Sequence, residues 1–218
     1  LLGARDETRG AEAVRSILEA APQCDGLIEH IRLDVSSDAS VATAAELVEA
    51  RFGVEPAPLR GIVNNAGIGF GRSMVETLEV NTYGPRRVCN AFMHLLCQGD
   101  GRIVNIASAS GPTFVAGCYK PHIRKTLVDP AVTWEQIEAI IEEVRDNPHL
   151  QPYGLSKACL NAYTVVLARE RPDLRINACT PGFIATDLTV GLGATTPPEA
   201  GTKAPLFCLM GDVEGSGR

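Results

Sequence analysis

Two residues four positions apart, Tyr153 and Lys157 in the stretch "PYGLSKA", could form an acid/base pair. On a helix, residues at this spacing lie on the same face, one turn apart. A free phenol has a pKa of about 10, and a nearby ammonium group favours its ionised form. Such a pair could exchange protons near neutral pH, as a general acid and base must. The alternative is a coincidental pair on a helix surface, and the spacing alone does not decide between the two.

Three further polar motifs each follow an apolar run that is typical of a buried strand. "NNAG" begins at Asn64, Ser108 lies in "NIASASG", and "PGFIATD" begins at Pro181. Parallel strands bind ligands at their carboxyl ends, so we expect these motifs to meet at one edge of a sheet. The other interpretation of Ser108 is that it only caps a helix or turn, and Ser110 competes with it for the same role.

Strand-like and helix-like segments alternate along the chain. The predicted strands are "LLGA", "LIEHIRLDV" (27–35), "LRGIVNN", "GRIVNIAS" and "RINACTPG", and the predicted helices cover 7–21, 38–52, 73–97, 133–146 and 153–169. This alternation predicts a parallel sheet covered by helices on both faces. The segment 112–152 departs from it. There Thr133 and Gln136 form a capping-box pattern, which indicates a helical insertion before the Tyr153 helix.

These motifs, in this order, resemble the short-chain dehydrogenase/reductase family over essentially the whole chain. The resemblance implies an α/β fold with a doubly wound, Rossmann-like parallel sheet. It implies that Tyr153 is the acid/base and that Ser108 hydrogen-bonds the substrate carbonyl. It also implies that Lys157 lowers the tyrosine pKa and holds the nicotinamide ribose, while Asn81 in "EVNTYG" anchors a proton-relay water. The alternative for Asn81 is an ordinary amide on a helix surface.

The start of the chain carries a candidate cofactor signal. Arg5 follows the first apolar run and Arg9 lies one helical turn later. A guanidinium fork there suits a phosphate on the adenosine ribose, whereas an acidic residue would favour NAD. Asp6 therefore keeps NAD open, and solvated arginines are the remaining alternative. In the family, an arginine like Arg5 goes with NADP.

The resemblance implies further cofactor contacts, and we expect no metal site. These contacts are Asp34 and Val35 beside the adenine, Asn64 and Ala66 on the ribose and nicotinamide side, and Gly182, Ile184 and Thr186 at the carboxamide and pyrophosphate.

The family begins with a strand and the loop T-G-x-x-x-G-x-G, and nothing in this sequence corresponds to them. Leu1 falls in what the family counts as its second strand. "GIGFG" (67–71) is not a substitute, because G-x-G-x-x-G requires glycine where Arg72 stands. We therefore expect residues 1–218 to form a single domain, incomplete at its start and at its end in "GDVEGSGR". The absent central strand should leave two unpaired interior edges, and NADPH should bind weakly to these residues alone.

Composition narrows the functional classes. A net charge of -6 and a pI near 5.3 argue against nucleic-acid and anionic-membrane partners. No run approaches the roughly 18 apolar residues of a membrane span. Seven cysteines without a C-x-x-C pair indicate free thiols in a reducing compartment, hence a cytoplasmic location.

The long interval between Ser108 and Tyr153, with "ARDETRG", "NACTPGF" and "TTPPEAG", resembles the carbonyl reductase branch. That branch implies NADPH-dependent reduction of a ketone, aldehyde or quinone, a small-molecule carbonyl substrate, and a monomer because the insertion covers the helix face used for pairing. Two alternatives are a non-catalytic remnant that binds a partner, and another doubly wound enzyme such as a methyltransferase. The second leaves the Y-x-x-x-K and PG-x-x-x-T motifs unexplained.

Overall fold

Five short parallel strands form the centre of the fold in a computed structural model, which describes residues 1–217. The strands are β1 (Leu2–Ala4), β2 (His30–Arg32), β3 (Gly61–Asn64), β4 (Arg102–Ile106) and β5 (Arg175–Cys179). β1 pairs with β2, and β3, β4 and β5 form a second sheet in that order. In the second sheet Asn64 faces Asn105 and Ile106 faces Cys179. The carboxyl ends of its strands therefore lie at one edge, as predicted.

The two sheets are separated by a cleft. Within residues 1–217, β1 pairs only with β2 and β3 pairs only with β4, so no strand lies between β1 and β3. The cleft has a volume of about 420 Å³ and is lined largely by apolar side chains, among them Leu33, Ile62 and Val88. This agrees with the expected pair of unpaired interior edges.

Helices cover both faces of the second sheet. Arg102 on β4 donates hydrogen bonds to the carbonyls of Cys208 and Gly211, at the end of one helix. The next residue, Ile103, packs in the core with side chains of the helix that carries Tyr153. Because successive side chains of a strand point to opposite faces, these two helices lie on opposite sides of the sheet. The doubly wound prediction is confirmed.

The structure describes ten α-helices, and none of those in residues 1–217 is both long and apolar enough to cross a membrane. They are α1 (Glu7–Ala20), α2 (Asp38–Phe52), α3 (Met74–Leu78), α4 (Gly84–Phe92), α5 (Ser110–Gly117), α6 (Pro121–Leu127), α7 (Trp134–Val144), α8 (Pro152–Glu170), α9 (Pro198–Gly201) and α10 (Lys203–Met210). The predicted helix over 73–97 is wrong as a single element. It is divided into α3, a π-helical turn (Glu79–Tyr83), α4 and a 3-10 turn (Met93–Leu95). Pro85 lacks the N–H that would bond the Asn81 carbonyl, which accounts for the irregular turn there.

The predicted helical insertion lies between β4 and α8. Its helix α7 begins with the expected capping box, in which the Thr133 hydroxyl accepts from the Gln136 N–H at 3.4 Å and the Gln136 side chain accepts from the Thr133 N–H at 2.9 Å. Trp134 then packs edge-on against Tyr163 of α8, with ring centroids 5.6 Å apart. The insertion thereby covers one side of α8 with apolar side chains.

Candidate active site

The first turns of α8 place Tyr153 and Lys157 at the carboxyl edge of the sheet. Pro152 occupies the first helical turn, where its missing N–H has no cost. The Lys157 ammonium donates to the Ile106 carbonyl at the end of β4, at 2.6 Å, and lies 5.8 Å from the centroid of the Tyr153 ring. The Tyr153 hydroxyl makes no hydrogen bond within the described part of the chain. The structure therefore brings the predicted pair together and leaves the phenol oxygen available.

Lys157 is a buried charge with one hydrogen-bond partner among residues 1–217. Its side chain lies within the core of the site and the residue is only 6% exposed. Burial disfavours the charged form, which lowers the pKa of Lys157 to about 8. The ammonium form still predominates at neutral pH, so a positive charge lies beside the Tyr153 ring.

Ser108 lines the same cavity as Tyr153 and Lys157, a space of about 890 Å³. Its hydroxyl oxygen accepts the Ser110 N–H at 3.2 Å, which is the first backbone N–H of α5. Accepting that bond leaves the hydroxyl hydrogen free to donate into the cavity. Ser110 lines the cavity too, from the first position of α5. A Cβ at Gly111 would lie 3.0 Å from the Lys157 carbonyl carbon, so glycine allows the close approach of α5 to α8.

Asn81 is fully buried in the π-helical turn and is not a surface amide. Its side chain accepts the Ile68 N–H and donates to the Ile68 carbonyl, both at 2.9 Å. The two bonds hold the turn that follows β3 against the π-helical turn. A Cβ at Gly67 would lie 3.4 Å from the Asn81 side-chain oxygen and 3.8 Å from the Lys157 nitrogen. The backbone at Gly67 therefore passes close to both side chains.

Ser156 connects Asn81 to the Tyr153 turn, and sequence reasoning did not identify it. Its hydroxyl accepts from the Asn81 side chain at 3.1 Å and donates to the Tyr153 carbonyl at 2.8 Å. Its own carbonyl accepts from the Thr82 hydroxyl at 3.0 Å. The only signal in the sequence is its position next to Lys157, because a single serine within a helix does not reveal a distant partner.

Asp6 is the acidic residue that left NAD as an alternative to NADP, and its side chain is engaged in a hydrogen bond at the start of α1. Its carboxylate accepts the Arg9 N–H at 2.9 Å and caps α1, and this bond lowers its pKa. Arg5 and Arg9 are exposed. Asp34 lies at the end of the neighbouring strand, where the bond from the Ser36 hydroxyl (2.6 Å) and the positive charge of Arg5 lower the pKa of the Asp34 carboxyl. Neither cavity includes Arg5, Arg9 or Asp34 among its lining residues.

The other predicted cofactor residues divide between the two cavities. Gly182, Ile184 and Thr186 line the larger cavity, whereas Val35, Asn64 and Ala66 line the cleft between the sheets. Gly182 has a φ of 93°, a conformation that favours glycine. Val63 and Asn65 line both spaces, so the two cavities adjoin.

The Asn64 side chain points into the sheet and not toward a ligand. Its amide donates to the Asn105 side chain at 2.8 Å, and the Asn105 amide donates in turn to the Thr164 hydroxyl of α8 at 2.9 Å. Asn64 is 8% exposed. A cofactor contact at this position would therefore involve its backbone.

Comparison with known proteins identifies the family. The short chain dehydrogenase family profile matches residues 2–120. The chain is 32% identical to (+)-neomenthol dehydrogenase of Arabidopsis thaliana, an alignment that covers 96% of this chain and 82% of the relative. It is 27% identical to carbonyl reductase [NADPH] 1 of Rattus norvegicus, over 96% of this chain and 80% of the relative.

The structure of salutaridine reductase from Papaver somniferum has the same fold. It superposes with a TM-score of 0.85 at 24% identity, covering 100% of this chain and 89% of that one. The chain is thus shorter than these relatives. It belongs to the short-chain dehydrogenase family and is an oxidoreductase related to enzymes that reduce carbonyl groups.

Proposed function

We propose that this protein is an NADPH-dependent carbonyl reductase that converts a ketone, aldehyde or quinone carbonyl to the alcohol, with Tyr153 as the acid/base. One observation carries the proposal: the Tyr153 phenol and the Ser108 hydroxyl line one cavity, with the buried Lys157 ammonium beside them. These are the groups that carbonyl reduction requires, namely a proton donor, a second donor to the oxygen and a positive charge.

When bound, the nicotinamide cofactor supplies the hydride that reduces the carbonyl carbon. Ser108 donates a hydrogen bond to the carbonyl oxygen and holds it toward Tyr153. Tyr153 gives its hydroxyl proton to that oxygen as negative charge builds on it, and the Lys157 charge stabilises the resulting phenolate. The carbonyl thereby gains one hydride and one proton and becomes an alcohol.

The residues present fit a nicotinamide dinucleotide. The Lys157 ammonium has three N–H donors, and the Ile106 carbonyl is its one protein acceptor among residues 1–217. The remaining donors suit hydroxyl groups such as those of the nicotinamide ribose. At the other end, Arg5 is exposed and Asp6 is occupied in capping α1. The Arg5 guanidinium can bind a phosphate on the adenosine ribose, whereas the Asp6 carboxylate already accepts a bond and is less able to bind the ribose hydroxyls of NAD. This supports NADP over NAD.

Asn81 has a supporting role in the same proposal. Its side chain is fully used in holding Ile68 and Ser156, so its side chain organises the turn. Pro85 cannot donate to the Asn81 carbonyl in the α-helical pattern. That carbonyl is the atom to which we assign the relay water that returns a proton toward Lys157 and Tyr153.

We further propose that the protein is a monomer and that it is located in the cytoplasm. The insertion helix α7 packs along α8 through Trp134 and Ile137, and this contact supports a face that is closed to a second subunit. The seven cysteines are free thiols, which supports a reducing compartment.

The second candidate is a non-catalytic fragment of such an enzyme. The unpaired edges of β1 and β3 favour it, because they border the cleft on the adenosine side of the site. Consumption of NADPH, followed by its absorbance with a panel of ketones, aldehydes and quinones, separates the two candidates. An enzyme oxidises NADPH only when a carbonyl is added, and a fragment does not do so at any cofactor concentration.

The test of the mechanism is Tyr153→Phe, which removes only the phenol oxygen. We expect turnover to fall at least a hundredfold, the lower range for loss of general acid catalysis. Tyr119→Phe is the matched control, since Tyr119 is 61% exposed and its hydroxyl accepts from Asn147 outside the cavity. Full activity of Tyr153→Phe would exclude the assigned role of Tyr153.

A further inference from the structure

Phe70 forms a wall of the larger cavity next to Tyr153. The two rings are 5.0 Å apart between centroids and inclined at 45°. Despite this contact Phe70 is 56% exposed, and it lines the cavity. A large aromatic ring with one side packed and the other open offers apolar surface that a substrate can cover. Since the neighbouring ring is that of Tyr153, the covered substrate would lie beside the phenol oxygen.

Leu188 brings the loop after β5 to the same place. A Cβ at Gly69 would lie only 2.7 Å from the Leu188 side chain, so glycine at position 69 allows the loop to pack on the turn that holds Phe70. Leu188 is 39% exposed and Phe183 is 53% exposed, and both line the cavity. Apolar side chains from two separate loops therefore face the space around Tyr153.

The charges around the cavity favour an uncharged substrate over an anionic one. Among the described residues that line it, the charged side chains are those of Lys157 and Asp187. Lys157 is buried and bonded to the Ile106 carbonyl, and Asp187 is exposed on the loop after β5. A substrate carboxylate would find no guanidinium partner in this lining and would meet a like charge at Asp187. An uncharged substrate has no such penalty.

We propose that Phe70 determines specificity and selects ketones whose carbonyl is carried by an uncharged apolar ring, alicyclic or aromatic. This inference rests on the proposed function, because it assigns the oxygen of the same substrate to Ser108 and Tyr153. The substrate ring packs on the open side of Phe70, with Leu188 on the neighbouring loop. A small aliphatic aldehyde presents the same carbonyl to Tyr153 but covers little of the Phe70 ring.

The test compares Phe70→Ala and Phe70→Leu with the unchanged chain on three substrates. These are an alkyl-substituted cyclohexanone, propanal and a cyclohexanone that carries a carboxylate. Loss of an aromatic contact to the ring should lower kcat/KM for the alkyl cyclohexanone about tenfold in Phe70→Ala and less in Phe70→Leu, mainly through KM. The value for propanal should change less than about threefold. The carboxylated ketone should be the poorer ring substrate of the unchanged chain.

Phe207→Ala is the control, because Phe207 is 58% exposed on α10 and does not line the cavity. We expect it to leave all three values unchanged. A fall in kcat by the same factor for the ring ketone and propanal in Phe70→Ala would overturn the inference, since Phe70 would then only hold Tyr153 in position. A preference for the carboxylated ketone would overturn it as well.

These outcomes differ from failure of the proposed function. If Tyr153→Phe reduces both carbonyls as well as the unchanged chain does, the mechanism fails, whatever Phe70 does. Calorimetric binding of the alkyl cyclohexanone gives a readout without turnover. Binding that weakens about tenfold in Phe70→Ala and not in Phe207→Ala supports the inference, and equal binding by the two variants contradicts it.

Discussion

Replacing Lys157 by methionine should lower turnover without lowering the stability of the protein. Lys157 is 6% exposed, and its burial lowers its pKa to about 8 from the ordinary lysine value of 10.5. The unfolded chain therefore binds more protons than the folded chain between about pH 8 and 10.5, so the stability of the protein rises with pH across that window. Each pKa unit corresponds to about 1.4 kcal/mol, so the buried ammonium costs about 3 kcal/mol below pH 8.

Methionine has a similar length and no charge, so Lys157→Met removes that cost. It also leaves the Ile106 carbonyl without the 2.6 Å bond from the ammonium, a loss of about 1–3 kcal/mol. At pH 7 the free energy of unfolding of Lys157→Met should thus be equal to that of the unchanged chain or higher by up to about 2 kcal/mol. Turnover should fall sharply, because the charge beside Tyr153 is lost. Such an opposition of stability and activity is typical of a residue kept for function.

Urea unfolding at pH 7, 8.5 and 9.5, in the presence of a reductant that keeps the thiols free, measures both effects. Between pH 7 and 9.5 the unchanged chain should gain about 2 kcal/mol relative to Lys157→Met, since its lysine progressively loses the buried charge. Lys125→Met, at an exposed position on α6, should show no such trend. A difference between Lys157→Met and the unchanged chain that stays constant with pH would refute the reasoning, as would a loss of more than 1 kcal/mol at pH 7.

Three further predictions concern separate parts of the site. Asn81→Ala removes the bonds that hold Ile68, so it should lower the free energy of unfolding in urea by about 3 kcal/mol and reduce turnover. A decrease under 1 kcal/mol would show that the turn after β3 is stable without these bonds. Arg5→Ala should raise the KM for NADPH about tenfold and leave that for NADH unchanged, whereas the exposed Arg15→Ala should change neither; an equal effect on both cofactors would contradict a contact with the ribose phosphate. Thr133→Ala should lower unfolding stability by about 1 kcal/mol through loss of the α7 cap, and an unchanged midpoint would mean that packing of Trp134 alone fixes that helix.

The sequence predicted those features that depend on local patterns. Helix periodicity located α8 with Tyr153 and Lys157 on one face, and the Thr133 and Gln136 pair located the start of α7. It was wrong where a single residue changes the hydrogen-bond pattern, as Pro85 does within 73–97. The predicted strand over 27–35 is reduced to His30–Arg32, the residues that pair with β1, and Leu27 belongs to a turn.

Contacts between distant segments were beyond sequence reasoning. The bond between Asn81 and Ser156 joins residues 75 positions apart, and neither residue type indicates such a partner. Phe70 lies in "GIGFG", where the glycines draw attention to a phosphate loop and the phenylalanine has no periodic context. The inward direction of the Asn64 amide likewise depends on Asn105 of the adjacent strand. Each of these features is fixed by the tertiary fold.

The two ends of the proposed site differ in how they are held, and this difference follows from the packing. Tyr153, Lys157 and Ser108 are attached to one core, in which α8 packs against β4 and β5 and the insertion covers α8. Arg5 follows β1 and Asp34 follows β2. This pair of strands is connected to the rest through a smaller cluster, in which side chains of α2 such as Val41 pack with side chains of α4 such as Val88. Because the cleft interrupts the sheet between these parts, we expect the end that carries Tyr153 to be held more rigidly than the end that carries Arg5. Recognition of a carbonyl should therefore survive perturbations that weaken recognition of the adenosine phosphate.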